Sequence, residues 1–355
     1  MGPVAKSSTL PMPGNIIFEV TYRCNLKCEM CYLKDNYLNK RHNDELSLEE
    51  IERFLDSLSG KPNIILSGGE AFARSDIIEI VAAVKKRDMK CIIFSNGTLL
   101  TPDRIHSLVD LGLDSISFSL DGPEKIFEEV TQINGSFSRL MRNIDYLIKV
   151  RNDKPKITLS CVLSNKNIEN AEYLLHFAQD PEIALVSFLH LHFVTHEDSI
   201  RNEQVLHHHD IFPSKPAVNR LQWGSDVDLA RKIIGFKDLV QNYPKVEFVP
   251  NLSDAEILAW YGDPDNFPIK EYCFYPWVTS RIAPNGTVYL CQNQVVEMGS
   301  LRKNTFEEIW NGDEYNKFRR SLRMKGMFPG CNRCCKTKTY TREQFPELGF
   351  PVVFP

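Results

Sequence analysis

From Ile16 to Thr195 the sequence alternates short β-branched runs with amphipathic stretches, and no other feature narrows the possible folds so far. The runs predict strands at Ile16–Thr21, Asn63–Ser67, Cys91–Ser95, Ser115–Leu120, Ile157–Leu163 and Leu185–Val194. Parallel strands need a long crossover between them, so a repeated strand-then-helix order predicts a parallel sheet. Helix starts are well marked: Ser47 with Glu50 forms a capping box, and Thr101 is an N-cap with Pro102 at the first helical position. The expected fold class is α/β, a (β/α)6 partial TIM-like barrel over residues 1–196.

Strand alternation assigns the faces, since the outer face must be apolar to receive helices. In the fourth strand Ile116, Phe118 and Leu120 are expected to face out, and Ser115, Ser117 and Ser119 in. In the sixth, Leu189, Leu191 and Phe193 are expected outside, with His190 and His192 inside. A barrel filled by its own side chains carries branched apolar residues there, so the polarity predicts a cavity for a polar ligand.

The rhythm is lost over residues 197–272, read as a connecting helical region with a helix at Asp226–Tyr243 and a candidate strand at Val246–Pro250. Residues 273–355 form a third unit, with a hairpin at Arg281–Leu290 turning at Asn285-Gly286, a helix opening at Thr305 with Glu308, and a cysteine-rich end. Hydrophobic residues at 43%, charged residues at 25% and a net charge of −4 describe an ordinary globular protein, with no field to favour nucleic acid or an anionic membrane. No apolar run reaches the length of a membrane span and no signal peptide is evident, so a cytoplasmic location is expected.

In a reducing compartment the ten cysteines are read first as metal ligands. Cys24, Cys28 and Cys31, in Tyr-Arg-Cys-Asn-Leu-Lys-Cys-Glu-Met-Cys-Tyr, follow the first strand and so lie at the C-terminal mouth of the barrel. Three thiolates on one loop can hold three irons of a 4Fe–4S cluster and leave the fourth open; a structural zinc knuckle is the other reading. Cys273, Cys291, Cys331 and Cys334 offer four thiolates, enough to close a second cluster or a four-cysteine zinc site. Cys335 reads as a bystander, and Cys161 as a small core residue on an outward face. His207-His208-His209-Asp210 resembles a metal tract, but consecutive side chains cannot share a helix face, and a surface loop is expected.

The spacing Cys-x3-Cys-x2-Cys after the first strand resembles the signature of the radical S-adenosylmethionine (SAM) superfamily. Gly68-Gly69-Glu70 at the end of the second strand is similar to the motif with which that family holds the SAM amino group. Ser95-Asn96-Gly97, and Ser119 in Ser119-Leu120-Asp121-Gly122, resemble positions near the SAM ribose and carboxylate. Met30 stands where the family often has an aromatic, and Ala71 where a proline commonly follows. The C-terminal order Cys273, Gly286-x4-Cys291, Cys331-x2-Cys334 is similar to the family's auxiliary domain, called SPASM in its long form and twitch in its short form. The further cysteine run of the long form is missing, which implies one auxiliary 4Fe–4S cluster.

The resemblance implies an enzyme that reductively cleaves SAM and abstracts a hydrogen atom from substrate, supplied with electrons by a donor such as flavodoxin or ferredoxin. An auxiliary cluster closed by four thiolates would transfer electrons, as in a dehydrogenase; lyase and epimerase chemistry also fit. His190 and His192, with Glu19, are the candidate catalytic contacts. The short layout is similar to that of radical SAM aminocyclitol dehydrogenases, and only residues 1–15 precede the first predicted strand, where peptide-maturing relatives often carry a recognition domain. The expected substrate is therefore a polar small molecule, an alcohol, sugar or aminocyclitol derivative. Peptide or protein maturation is the alternative, and a non-catalytic zinc or iron–sulfur binding protein the reading from another class.

Overall fold

The computed structural model describes residues 10–34, 44–213, 225–263, 273–336 and 338. Seven parallel strands form its centre: β1 (Asn15–Thr21), β2 (Asn63–Gly68), β3 (Cys91–Ser95), β4 (Ser115–Ser119), β5 (Lys156–Leu163), β6 (Ile183–His190) and β7 (Val246–Val249). They pair in sequence order, each with the next. Helices α1 (Leu48–Asp56), α2 (Ile77–Lys86), α3 (Pro102–Asp110), α4 (Glu124–Thr131), α5 (Ser136–Val150) and α6 (Leu175–Gln179) occupy the crossovers. The expected caps are present: Ser47 and Glu50 bond reciprocally at α1, and Thr101 accepts from the Arg104 amide at α3.

The region expected to lack barrel rhythm continues it by one unit. Helices α7 (His196–His208) and α8 (Val227–Val240) precede β7, and α9 (Asp254–Gly262) follows it. The histidine tract is thus the last turn and cap of α7 rather than a loop, with His207 and His208 exposed. Sequence alone missed this helix because its apolar stripe is narrow; its buried side chains include Asp198, Ser199 and Asn202.

The C-terminal unit contains α10 (Tyr275–Val278), β8 (Thr279–Ile282), β9 (Thr287–Tyr289), β10 (Glu297–Ser300), α11 (Phe306–Trp310) and α12 (Asp313–Lys325). The expected hairpin is β8–β9, with Gly286 at φ +84° in its turn. Strand β8 also pairs in parallel with β1, so barrel and C-terminal unit share one ten-stranded sheet of order β10-β9-β8-β1-β2-β3-β4-β5-β6-β7. The core lies between this sheet and the outer helices: Ile16, Phe18, Ile64, Leu66, Ile116, Phe118, Leu159, Val186 and Phe188 are fully or almost fully buried. Among the described residues no helix is long and apolar enough to cross a membrane.

Candidate active site

The cysteine loop leaves β1 at the C-terminal mouth of the sheet. Its backbone is pinned from three sides: the Lys27 amide donates to the Thr131 carbonyl at the end of α4, Leu26 donates to Cys24 Sγ at 3.4 Å, and Cys31 donates to the Cys28 carbonyl at 3.3 Å. Cys24, Cys28 and Cys31 are partly exposed and form no disulfide. Burial pushes the Cys24 thiol up to about 11, with Glu70 and Cys31 adding to the effect. Burial raises Cys28 further, helped by Asp121, Cys31 and Cys24. The thiols thus oppose one another's ionisation, the arrangement a bound cationic group converts into a thiolate site. Among the described residues no three Cys, His, Asp or Glu side chains are close enough to share a single ion.

Gly68 and Gly69 are required first by the protein's own backbone. A Cβ on Gly68, whose φ is +129°, would stand 2.1 Å from the Thr21 carbonyl oxygen, and one on Gly69 would stand 2.4 Å from that of Arg23. The Gly69 amide donates to Thr21 and the Glu70 amide to Arg23, both at 2.8 Å, stitching the end of β2 to the residues just before Cys24. The Glu70 carboxylate is buried and accepts from the Phe72 amide (3.0 Å), the Ser95 hydroxyl (2.7 Å) and the Asn96 amide (2.7 Å). Expected as a contact to the SAM ammonium, it spends three of its roughly four acceptor positions organising the loop after β3.

Ser95 is likewise engaged within the protein. It pairs with Phe118 across the sheet and so shares the outward face, and its hydroxyl also accepts from the Gly97 amide. Asn96 ties the two loops together: its Nδ2 donates to Asn25 at 3.1 Å, and its Oδ1 accepts from the Thr98 amide and hydroxyl. Ser119 is exposed at the interior end of β4, opposite Ser160. Met30 packs half-buried against the core edge.

The candidate catalytic residues separate. His190 pairs with Leu163, in the row that Cys161 and Phe188 occupy two residues earlier, which is the helix-covered face. It is buried beside Phe248, Trp260 and Tyr261, bonds the Tyr261 hydroxyl through Nδ1 at 3.1 Å, and is pushed down to about 3, chiefly by burial. The inward placement is therefore corrected: the sixth strand takes its outward phase from Val186 and Phe188, and it ends at His190. Beyond that point the Leu191 amide bonds Tyr261 instead of the sheet. His192 lies past the strand end, its Nδ1 3.4 Å from Gln292 Nε2.

Glu19 does face the interior, where it is already paired. Arg281 on β8 donates to Glu19 Oε1 through Nε at 2.8 Å and through Nη2, and the Tyr22 hydroxyl donates to Oε2 at 2.9 Å. Nothing in the sequence marked Arg281 as its partner.

At the C-terminal end, Cys273, Cys291, Cys331 and Cys334 line one cavity together with Tyr275, Leu290, Phe318 and Met327. Burial raises the Cys273 thiol strongly and Cys291 up to about 12, neighbouring cysteines contributing next in each case. Three weak donors face the sulfurs: the Gln294 amide to Cys291 at 3.3 Å, Gln294 Nε2 to Cys331 at 3.6 Å, and the Lys336 amide to Cys334 at 3.4 Å. Such N–H···S contacts are what thiolate-bound clusters carry around them. Cys335 instead approaches Gln292 Nε2 at 3.6 Å, on the side toward His192.

Helix α7 fastens this end of the chain. Asp198 pairs with the fully buried Arg333 at 3.1 Å, and Asn202 exchanges two bonds with Gln294 while accepting from the Gly330 amide. These residues escaped sequence reading because their partners lie about 90 to 135 positions further along the chain.

Two family models match: the radical SAM superfamily over residues 18–178 and an iron–sulfur cluster-binding domain, SPASM, over residues 273–335. Curated relatives include the Fe-coproporphyrin III synthase of Methanosarcina barkeri, 27% identical over 54% of this chain and 47% of that protein. The match therefore spans about half of that relative's length. An AdoMet-dependent heme synthase of the same organism is 25% identical over 92% of each chain, and the PqqA peptide cyclase of Ruegeria pomeroyi is 26% identical over 94% of this chain and 83% of its own. The fold is also that of Streptococcus suis SuiB bound to precursor peptide SuiA, with a TM-score of 0.63, 16% identity, and 92% of this chain and 76% of that one covered. With the cysteine loop, the Gly-Gly-Glu strand end and the four-cysteine cavity in the order these models require, the chain belongs to the radical SAM superfamily and carries a C-terminal SPASM iron–sulfur domain.

Proposed function

We propose that this radical SAM enzyme modifies a peptide or protein substrate, with Cys24, Cys28 and Cys31 holding the SAM-binding 4Fe–4S cluster and Cys273, Cys291, Cys331 and Cys334 holding one auxiliary cluster. The observation that carries the peptide reading is the similarity to a peptide cyclase across 94% of this chain; the small molecule expected from the short layout takes second place. When bound, the SAM–cluster pair supplies a deoxyadenosyl radical that takes a hydrogen atom from substrate. The protein's part is orientation. Gly68-Gly69-Glu70 and Asn96 fix the backbone around the cysteine loop, Ser119 and Ser160 present hydroxyls at the interior mouth, and Met30 packs beside the third cysteine. Closure of the auxiliary site by four thiolates favours electron transfer, hence a net two-electron oxidation of the peptide: SAM, primed by one electron from a flavodoxin- or ferredoxin-type donor, would be the oxidant that takes the hydrogen atom, the auxiliary site would take the remaining electron and solvent the proton.

The second reading, a small molecule of the heme-precursor type, is favoured by the heme synthase aligned over 92% of both chains. One experiment separates the two. Anaerobically reconstituted protein, reduced with dithionite in the presence of SAM, is offered a panel of synthetic peptides or Fe-coproporphyrin III, and deoxyadenosine and substrate mass are followed. Peptides that stimulate deoxyadenosine and lose two hydrogens support the proposal. Stimulation by the porphyrin alone, with mass loss from its side chains, transfers the assignment to the second reading.

A further inference from the structure

The Glu19–Arg281 pair occupies an unusual position for a buried ion pair. Arg281 is 5% exposed and Glu19 3% exposed, and they come from strands β8 and β1, which lie side by side where the two units of the protein join. The guanidinium reaches in both directions. Toward the N-terminal site, Nη2 donates to the hydroxyl of Tyr32, the residue after Cys31, and the guanidinium lies 5.5 Å from that ring's centroid. Toward the C-terminal site, Nη1 donates to Oε1 of Gln292, the residue after Cys291, at 3.4 Å. Gln292 passes the contact on through Nε2 to Cys335.

A buried charge pair of this kind adds little to stability against an apolar pair of similar shape, because both ions give up hydration. Its location gives it another consequence. Reduction adds negative charge to an iron–sulfur cluster, so net charge and hydrogen bonding around the cluster set its potential. We propose that Glu19 and Arg281 are positioning residues that set the reduction potentials of both iron–sulfur sites, Arg281 raising them and Glu19 offsetting that charge. This rests on the assignment of the two cysteine sets as cluster ligands. The electrostatics agree: burial, the largest single effect, disfavours the arginine's charge, but Glu19, Tyr32 and Tyr275 together outweigh it and hold the guanidinium ionised.

The test is a potentiometric titration of the reconstituted holoenzyme followed by electron paramagnetic resonance. Glu19→Gln leaves a net positive charge and is expected to shift both clusters to more positive potential, so that at a fixed solution potential the reduced fraction rises several-fold. Arg281→Gln leaves a net negative charge and shifts both the opposite way. Arg281→Lys retains the charge and keeps both potentials near those of the parent. The double variant Glu19→Gln/Arg281→Gln buries no net charge, is expected to fold even if a single variant does not, and returns the potentials close to the starting values. Opposite signs for the two single variants, with parent-like potentials in the Lys and double-neutral variants, support the proposal; should one single variant fail to fold, the sign of the other's shift relative to the double-neutral variant decides. Unchanged potentials in the single variants, equal shifts of one sign in both, or displaced potentials in the Lys variant refute it and leave a packing role. Iron is counted throughout: about four irons instead of about eight in the parent protein overturns the two-cluster assignment itself, a failure separate from that of the charge proposal.

Discussion

Removing the carboxylate of Asp198 tests whether α7 holds the C-terminal cysteines in place. Arg333 is fully buried between Cys331 and Cys334 in sequence, and Asp198, itself 3% exposed, is the carboxylate paired with it. The guanidinium also meets the Trp260 carbonyl at 3.0 Å, the Asp263 carbonyl at 3.4 Å and the face of Phe193 with its centroid 5.0 Å away. These dipoles solvate the ion without cancelling its charge, so Asp198→Ala takes a carboxylate partner from a buried cation, at a cost of about 3–5 kcal/mol. Asp198→Asn keeps the shape, but its amide can accept from Arg333 or from Asn332 while presenting N–H groups to the other, a loss of about 1.5–3 kcal/mol. Hydrogen exchange read by mass spectrometry reports the effect locally, which a global melting point for a protein with two metal sites does not. For the alanine variant, amides of α7 and of residues 329–336 are expected to exchange roughly 10²- to 10³-fold faster, while β2 and β3 are unaffected. Asp228→Asn, in an exposed pair with Lys232, serves as the control and changes nothing. Acceleration below about fivefold at both segments would mean the ion pair contributes under about 1 kcal/mol and would refute the reasoning.

Four further outcomes are expected. Cys28→Ser abolishes deoxyadenosine formation, whereas Cys334→Ser retains it and loses product; full turnover by the second variant argues against an essential auxiliary site. Gly69→Ala forces a methyl against the Arg23 carbonyl, costs about 1–3 kcal/mol in urea titration, and lowers the iron content of the N-terminal site more than that of the C-terminal one. His190→Phe leaves the pH dependence of turnover unchanged, since the imidazole lies in the helix layer; a displaced profile would return it to the active site. Burial alone would raise Asp114, but bonds from Lys154, Lys85 and the Cys91 amide outweigh it and hold the carboxyl at about 2. Its stabilisation is complete above about pH 4 and is lost as pH falls toward about 2, so parent and Asp114→Asn stabilities, compared in the metal-free chain, converge through that window.

The barrel was legible because its signals are local. Each strand carries its own apolar face, and α1 and α3 carry their own caps, so β1 to β5 fall within a residue of where their runs place them. The cysteine sets were legible for the same reason, being short spacings on a loop or a chain end. What depended on distant partners was not. In Leu185–Phe193 both phases of the alternation offer apolar residues, and only pairing with Cys161 and Leu163 reveals that Phe188 and His190 share the outer face. Glu70 was read as a SAM contact from its resemblance to the family motif; the buried donors that also engage it, Ser95 and Asn96, come from the end of a strand some 25 residues later and left no mark in the sequence. Helix α7 stayed hidden because its inner face is polar and complements Gln294 and Arg333, which the sequence presents as parts of another unit.

The parallel pairing of β8 with β1 sets a schedule for synthesis. One side of β1 is covered by β2 about 50 residues later, but the other waits for a strand about 260 residues downstream. At 5–20 residues per second, that edge emerges from the ribosome and stays open for roughly 13 to 50 seconds. Throughout that interval its unpaired amides and carbonyls, flanked by Ile16 and Phe18, offer a template to any extended segment nearby. A nascent chain of this design therefore depends on its last hundred residues to close its first strand, and a chain cut before Cys273 would carry that open edge permanently.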